Sequence, residues 1–488
     1  MLPSPSLKPI NPPTEYQGYL QQLWNLQRVR YELNWQLYTG EKWMEVEQKK
    51  DGSVQRVYRL GVNDIALACN MHAQLLFGEV RDSSDPLVSF KVSARRGQTV
   101  DEGIIEKAQN FLDELWSESA ARRNQFIAGL SSQVTGGVFW RVRYALDKDS
   151  PFDLYPFKFE PIHSDYVFPV FSPGSSRISE VFVRYQTPRA AARSEWGKWN
   201  GDWPDLVEYQ EHWTSARGGM PGTLSISVGV EGLRETIKAE ANPFGFVPFV
   251  YIPHIPSNGF FGIPLAEWAG ASDLVEEYNS RLANTGDILQ QNAYAFGVLK
   301  NHPTGKLSKA PFRLWAGGPT VIDIGTGTPD GNPPELDWVD ASDISAGTMT
   351  YLDSLKKETR MSMAIPPVAV GEDEGSQRSS LTLTTRMFPM KSHVLTERWM
   401  WGPPMEDLNR MALQMGIIKQ VDGLLGLDVS KITITPNWAP MLPRDRAELV
   451  NEMVQRAGVG HVAPQDALEA YEDTPVGEID ETLKRIQA

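Results

Sequence analysis

The spacing of apolar residues changes several times along this chain, and each change marks an element. A proline-rich opening (Pro3, Pro5, Pro9, Pro12, Pro13) reads as an extended arm, after which residues 14–45 keep a helical spacing. Residues 63–78, "NDIALACNMHAQLLFG", read as a second helix with Asn63 at its N-cap and Gly78 as its stop. A third spans about 100–116 and buries Ile104, Ile105, Ala108, Phe111, Leu112 and Leu115. From about 134 to 255 the period drops to two. "TLSISVGVE" sets Leu224, Ile226, Val228 and Val230 against Ser225, Ser227, Gly229 and Glu231, and "FKFEPI", "SEVFVRYQT" and "LVEYQEHWT" read the same way. Alternation broken by Pro/Gly turns predicts a mostly antiparallel module with one wet face.

The period then lengthens again. Residues 265–296 lack proline and place Trp268, Ala271, Val275, Tyr278, Leu282, Leu289, Ala293 and Phe296 on a narrow 3–4 stripe. This predicts one helix of about 48 Å at ~1.5 Å per residue. The rest of its circumference is polar and includes Asp273, Glu276, Glu277 and Arg281. So thin a seam does not suit a globular core helix. Three short strand-like runs follow at 312–317, 320–325 and 335–340, then a helix over 342–364 stopped by Pro366 and Pro367. The loop "PPVAVGEDEGSQ" leads into a helical pattern at 379–415, interrupted by Pro389 and by Gly402, Pro403 and Pro404. The tail reads as a strand, "KITITPNW", and two short helices, "RDRAELVNEMVQRAG" and "PQDALEAYE". The class is α+β. Two helices flanking a 45-residue tip at 297–341 are expected to lie antiparallel, as a stalk with a small head.

Composition narrows the function. A chain of 488 residues, 41% hydrophobic and 22% charged, exceeds one domain and buries a substantial core. The single cysteine, Cys69, excludes an intramolecular disulfide and suits a reducing compartment. No signal-like segment and no long apolar run appears, so neither secretion nor a membrane span is expected. The net charge is −14, and no Lys/Arg cluster exceeds a pair. Tight phosphate-based binding of nucleic acid is therefore not expected, although DNA can still pass close by.

Catalytic signals are weak throughout. The histidines at 72, 163, 212, 254, 302, 393 and 461 do not pair at helical spacing, and no H-E-x-x-H frame occurs. No metal and no cofactor is expected on that basis. "GTGTPDG" (325–331) has the wrong spacing for a dinucleotide loop, and "TGKLS" (304–308) lacks the upstream glycine of a P-loop. The acidic run "GEDEG" (371–375) offers carboxylates to a cation but reads first as a solvated loop. Glu276 and Glu277 are adjacent on a helix and cannot face each other as an acid/base pair. No G-x-S-x-G elbow is present. The 15 tryptophans sit singly within periodic patterns, which suits core and interface positions better than a carbohydrate surface. The chain does not read as an enzyme.

Taken in order, several segments resemble the portal proteins of tailed bacteriophages, the head-to-tail connectors of the siphovirus type. "ELNWQLYTGEKW", "NDIALACNMHAQLLFGE", "VTGGVFWRVRY", "FEPIHSDYVFPVF" and "NPFGFVPFVYIPH" are similar to successive stretches of the portal wing. "SDLVEEYNSRLANTGDILQQNAYAFGVLKN" resembles the first stem helix, and "ITITPNWAPMLPRDRAELVNEMVQRAGVGHVAPQDALEAY" the passage from wing to crown. The family often carries a longer charged C-terminal tail, so a small crown is implied.

The resemblance implies a ring, typically of twelve subunits, at one capsid vertex. It implies an arm and wing at 1–263, stem helices at 264–296 and 342–364, and a clip at 297–341. A tunnel loop at 365–378, a kinked helix with more wing at 379–437, and a crown at 438–488 complete the division. Asp273, Glu276, Glu277, Arg281, Lys356 and Lys357 would then line the channel wall. Pro366, Pro367, Val368, Val370, Glu372, Asp373, Glu374 and Gln377 would form the tunnel loop. Arg313, Trp315, Asp330, Asn332 and Trp338 would offer the clip surface to motor and adaptor. Implied partners are further copies of the chain, double-stranded DNA, the terminase large subunit, a head-tail adaptor, and the major capsid and scaffolding proteins, with no membrane. The implied location is the virion, after assembly in the host cytoplasm. The alternative is another head or tail assembly protein, a connector or minor capsid subunit. More distant is a tryptophan-rich hydrolase.

Overall fold

The computed structural model describes residues 19–48, 54–58, 61–78, 86–144, 154–172, 175–196, 204–230, 233–255, 265–292, 296–300, 312–313, 320–323, 335–339, 345–372, 384–441 and 455. In chain order the elements are α1 (Tyr19–Thr39), β1 (Met44–Gln48), β2 (Val54–Tyr58), α2 (Asp64–Phe77), β3 (Val88–Ala94), α3 (Glu102–Glu118) and α4 (Ala121–Thr135). Strands β4 (Gly137–Tyr144), β5 (Phe157–Ile162), β6 (Val167–Phe171) and β7 (Ile178–Pro188) precede α5 (Arg189–Trp196). Then come β8 (Leu206–Thr214), β9 (Thr223–Val230), β10 (Leu233–Ala241), β11 (Phe249–Pro253) and α6 (Ser272–Asn292). The chain continues with β12 (Phe296–Lys300), β13 (Phe312–Arg313), β14 (Thr320–Asp323), β15 (Glu335–Val339), α7 (Ala346–Ser362), α8 (Phe388–Ile418) and β16 (Ile432–Trp438). Mixed helices and sheets place it in the α+β class.

The chain forms two compact units, and neither is contiguous in sequence. One takes residues 1–38, 65–269 and 364–488; the other takes 39–64 and 270–363.

In the larger unit the period-two region becomes two antiparallel sheets, ordered β10-β9-β8-β7-β6 and β11-β4-β5. β16 pairs with β3 in a third, from Ile432 opposite Ala94 to Trp438 opposite Val88. Helix α3 begins where Asp101 accepts a 2.7 Å bond from the Gly103 N–H, a cap worth ~1 kcal/mol. Its predicted stripe is in the core: Ala108, Phe111, Leu112 and Leu115 are buried, and Ile104 and Ile105 pack against them. Trp116 stacks on Phe90 and Phe159 and meets Trp140 edge-on, with its Nε1–H donating to Asn409 of α8 at 2.9 Å. Gly78 ends α2 as predicted, at φ +74, and a Cβ there would stand 2.4 Å from the Pro440 carbonyl.

Helix α4 was not legible in the apolar pattern. Its buried residues are Ala121, Gln125, Ala128, Gly129, Ser131, Ser132, Gln133, Val134 and Thr135, which apart from Val134 are small or polar and give no apolar stripe. Gly129 lets it approach Phe77, where a Cβ would fall 2.5 Å from the ring. Gln125 bonds both the N–H and the carbonyl of Val88, holding the start of β3. The predicted interruption of the long C-terminal helix also needs correction. α8 runs unbroken for 31 residues, with Pro389 at its start and Pro403 and Pro404 inside. Burial of Trp401, Met405 and Leu408 compensates for the two missing N–H donors.

In the smaller unit, β1 and β2 form a hairpin and β13-β14-β12-β15 form a four-stranded sheet, with β12 and β14 parallel. The expected 265–296 helix is shorter, Ser272–Asn292. Leu265 bridges to Ile255, and the Glu267 N–H donates to the Gln133 carbonyl at 3.0 Å, so the residues before α6 are held as a turn. α7 begins at Ala346, with the hydroxyl of its N-cap Ser345 accepting from the Thr348 N–H, and residues 342–344 of the expected helix lie outside the described residues. The α6 seam packs on α7 through Tyr278, Leu352 and Leu355, with Val62, Leu274 and Leu282 beside them. Asn279 adds a paired bond to the Val62 N–H and carbonyl at 2.8 and 3.2 Å. The predicted arm and the two C-terminal helices lie outside the described residues, apart from residue 455.

Candidate functional site

The wet face of α6 carries the expected charges, but the fold pairs most of them. Glu276 forms an ion pair with Lys42, and Arg281 donates from Nε to Glu277 Oε1 at 2.7 Å, one turn away. The Tyr351 hydroxyl also reaches Glu277 Oε1 from α7, at 3.3 Å. The bond from Arg281 holds the Glu277 carboxyl below its usual range and raises the guanidinium in return. Asp273 is exposed in the first turn, where the helix dipole favours a carboxylate. Lys357 is exposed on α7 and Lys356 half-buried. Of the charges expected on this face, Glu276, Glu277 and Arg281 are paired, and Asp273 stands exposed at the start of the helix.

Along this pair of helices several large apolar side chains among the described residues are exposed. Ile288 and Leu289 are 48% and 54% exposed on α6, and Met349 and Met361 are both 49% exposed on α7. The predicted stripe thus fails at Leu289. On α8 of the larger unit, Phe388, Leu395 and Trp399 recur at helical spacing and are exposed, Trp399 by 63%. Trp399 stands on the rim of a cleft of 1080 Å³ shared with Phe171, Arg177, Tyr251, Pro403 and Arg410.

The segment expected to form a loop starts as one tight turn. Pro367–Val370 is a 3₁₀ turn closed by the Ala369 N–H donating to the Pro366 carbonyl and ended by Gly371 at φ +75. Pro366 is buried rather than free, Val368 and Val370 are half-buried, and Pro367 and Glu372 are exposed. Asp373, Glu374 and Gln377 lie outside the described residues. In the strand-rich tip, Arg313 sits opposite Thr320 and Trp338 opposite Gly297. Trp315, Asp330 and Asn332 lie outside the described residues.

A polar centre that spacing did not reveal sits inside the larger unit. His72 of α2, Glu267 of the turn before α6, and His393 and Glu397 of α8 bring one donor atom each to within 4.8 Å of one another. The only sequence trace of it is His393 and Glu397, four residues apart on one helix face. His254, beyond β11, reaches Glu267 Oε2 at 2.8 Å. Burial raises the Glu267 pKa, but the charge and hydrogen bonds of the surrounding histidines outweigh it and hold it well below the usual range. Burial likewise lowers the His393 pKa, and the adjacent Glu267 and Glu397 carboxylates reverse this, raising it to about 10. No helix among the described residues is long and apolar enough to cross a membrane.

Compared with known families, residues 17–488 match the phage portal protein family, SPP1 Gp6-like. The match covers nearly the whole chain, which therefore belongs to this family of siphovirus-type portal proteins. None of the curated proteins compared with it matches.

Proposed function

We propose that the chain works as a ring, typically twelve-membered, at one vertex of the capsid, where it is the conduit for double-stranded DNA entering and leaving the head. The observation that carries this reading is the family match over residues 17–488. In this reading α6 and α7 are the stem and the sheet β12–β15 belongs to the clip, which docks the terminase large subunit and a head-tail adaptor. The segment from Pro366 enters the tunnel loop, and the larger unit contributes wing and crown against capsid and scaffolding proteins. The protein resides in the virion after assembly in the host cytoplasm and performs no covalent chemistry.

Two features support it. The apolar side chains left open on α6, α7 and α8 are surfaces that neighbouring copies would cover. The charges on α6 are largely paired, so a wall built from it offers passing phosphates few free cations to bind. Replacing Asp273, Glu276 and Glu277 by lysine should therefore slow packaging. The function itself is tested by producing heads from a phage genome that lacks this chain. They are expected to contain no DNA, with filling restored when the chain is supplied; full heads without it would overturn the reading.

A further inference from the structure

The buried centre around His72 is independent of ring assembly, and we propose that His72, Glu267, His393 and Glu397 bind a divalent first-row transition ion, zinc being the ion to test. Both ring nitrogens of His72 are fully buried without a hydrogen bond, as are Glu267 Oε1 and Glu397 Oε1. An unpartnered polar atom in a dry interior is costly, and one ion would satisfy a His72 nitrogen, Glu267 Oε1 and Glu397 Oε1 together. His72 Nδ1 lies 2.9 Å from Glu267 Oε1, and His393 Nε2 lies 3.2 Å from Glu397 Oε1. Neither contact has hydrogen-bond alignment. Groups that close without pointing at each other are arranged as ligands around a shared third centre.

The glutamates are divided in the way metal-bound carboxylates are. Glu267 Oε2 is held by His254 at 2.8 Å, while Oε1 is open. Glu397 Oε2 accepts from Gln133 Nε2 at 2.6 Å, while Oε1 is open. Outer partners of this kind orient ligating oxygens. Zinc bonds of ~2.0–2.2 Å would place tetrahedral donors about 3.3 Å apart, within the spread found here. Two carboxylates balance a dication, and two imidazoles select zinc-like ions over magnesium or calcium, which prefer oxygen alone. The ion would pin α2, the turn leading into α6, and α8 to one another.

The competing account is a proton network in which imidazolium fills the centre. Chelator-treated full-length protein should be titrated with Zn²⁺ by calorimetry and with Co²⁺ by visible absorption. One equivalent per chain, a tetrahedral Co²⁺ spectrum and a melting temperature raised by Zn²⁺ and returned by chelator are expected. Glu397→Gln, which preserves shape, and His393→Ala, at a half-buried position, should each weaken binding by at least about 100-fold. Gln133→Ala should weaken it by about 10–100-fold. Absence of stoichiometric binding to the wild type would overturn the proposal whatever the variants do. So would binding left unchanged in a folded His393→Ala or Glu397→Gln protein.

Discussion

Arg360 of α7 and Asp64, at the first turn of α2, make a buried ion pair whose removal should loosen the smaller unit. Arg360 Nε and Nη2 both donate to Asp64 Oδ1 at 3.2 Å, and the two side chains are 12% and 4% exposed. Oδ2 of Asp64 has no hydrogen bond, so this is not the two-oxygen fork that makes an Arg–carboxylate pair strong. Its importance lies in the charge left behind when one partner goes. Arg360→Met strands a nearly inaccessible carboxylate, at about 3–5 kcal/mol. The double variant Asp64→Ala/Arg360→Met removes both charges and should recover about 2 kcal/mol of that loss. At ~1.4 kcal/mol per tenfold, the single variant should accelerate amide exchange in α7 by at least about 100-fold. Exchange in α3 and β4 of the larger unit should stay within a few fold. Hydrogen exchange with mass spectrometry reads both regions in one sample. If Arg360→Met costs less than about 1 kcal/mol, or the double variant is no better than the single, Arg360 does not compensate a buried charge.

Other substitutions probe separate links. Trp399→Glu, at a 63% exposed site, should change monomer stability by no more than about 0.5 kcal/mol yet abolish self-association in native mass spectra. Trp116→Phe leaves Asn409 Oδ1 without its indole donor in the core and should cost about 1–3 kcal/mol by urea unfolding. Gly78→Ala should cost more than ~1 kcal/mol by the same measurement, because its positive φ and the nearby Pro440 carbonyl both oppose a Cβ. Lys42→Ala, by contrast, opens a partly exposed ion pair with Glu276 and should cost under about 1 kcal/mol in melting experiments.

Much of the fold is visible in the sequence where packing uses apolar side chains with a clear period. Helix α3, strand β9 and strand β16 are of this kind: Leu224 and Val228, or Ile432 and Ile434, are buried on one face as the alternation requires. Legibility fails where the buried face is made of other chemistry. α4 packs through glycine, serine and glutamine. The 265–270 turn buries Ala266 and Trp268 at spacing that happens to continue the phase of α6. On the charged face of α6 the Glu277–Arg281 pair lies at helical spacing, but the pair of Glu276 with Lys42 could not be read, since Lys42 comes from 234 residues away. The buried centre was hidden for the same reason: its four donors lie at 72, 267, 393 and 397, and only the last two share an element. Local spacing cannot report a site assembled by tertiary structure.

Ring formation is read from the mass and symmetry of the purified full-length protein, by native mass spectrometry and negative-stain images. A conduit of the proposed kind gives closed rings of about twelve 54.6 kDa chains around an open axial hole. A monomer that also fails to join capsids when scaffolding and coat proteins are supplied would contradict it.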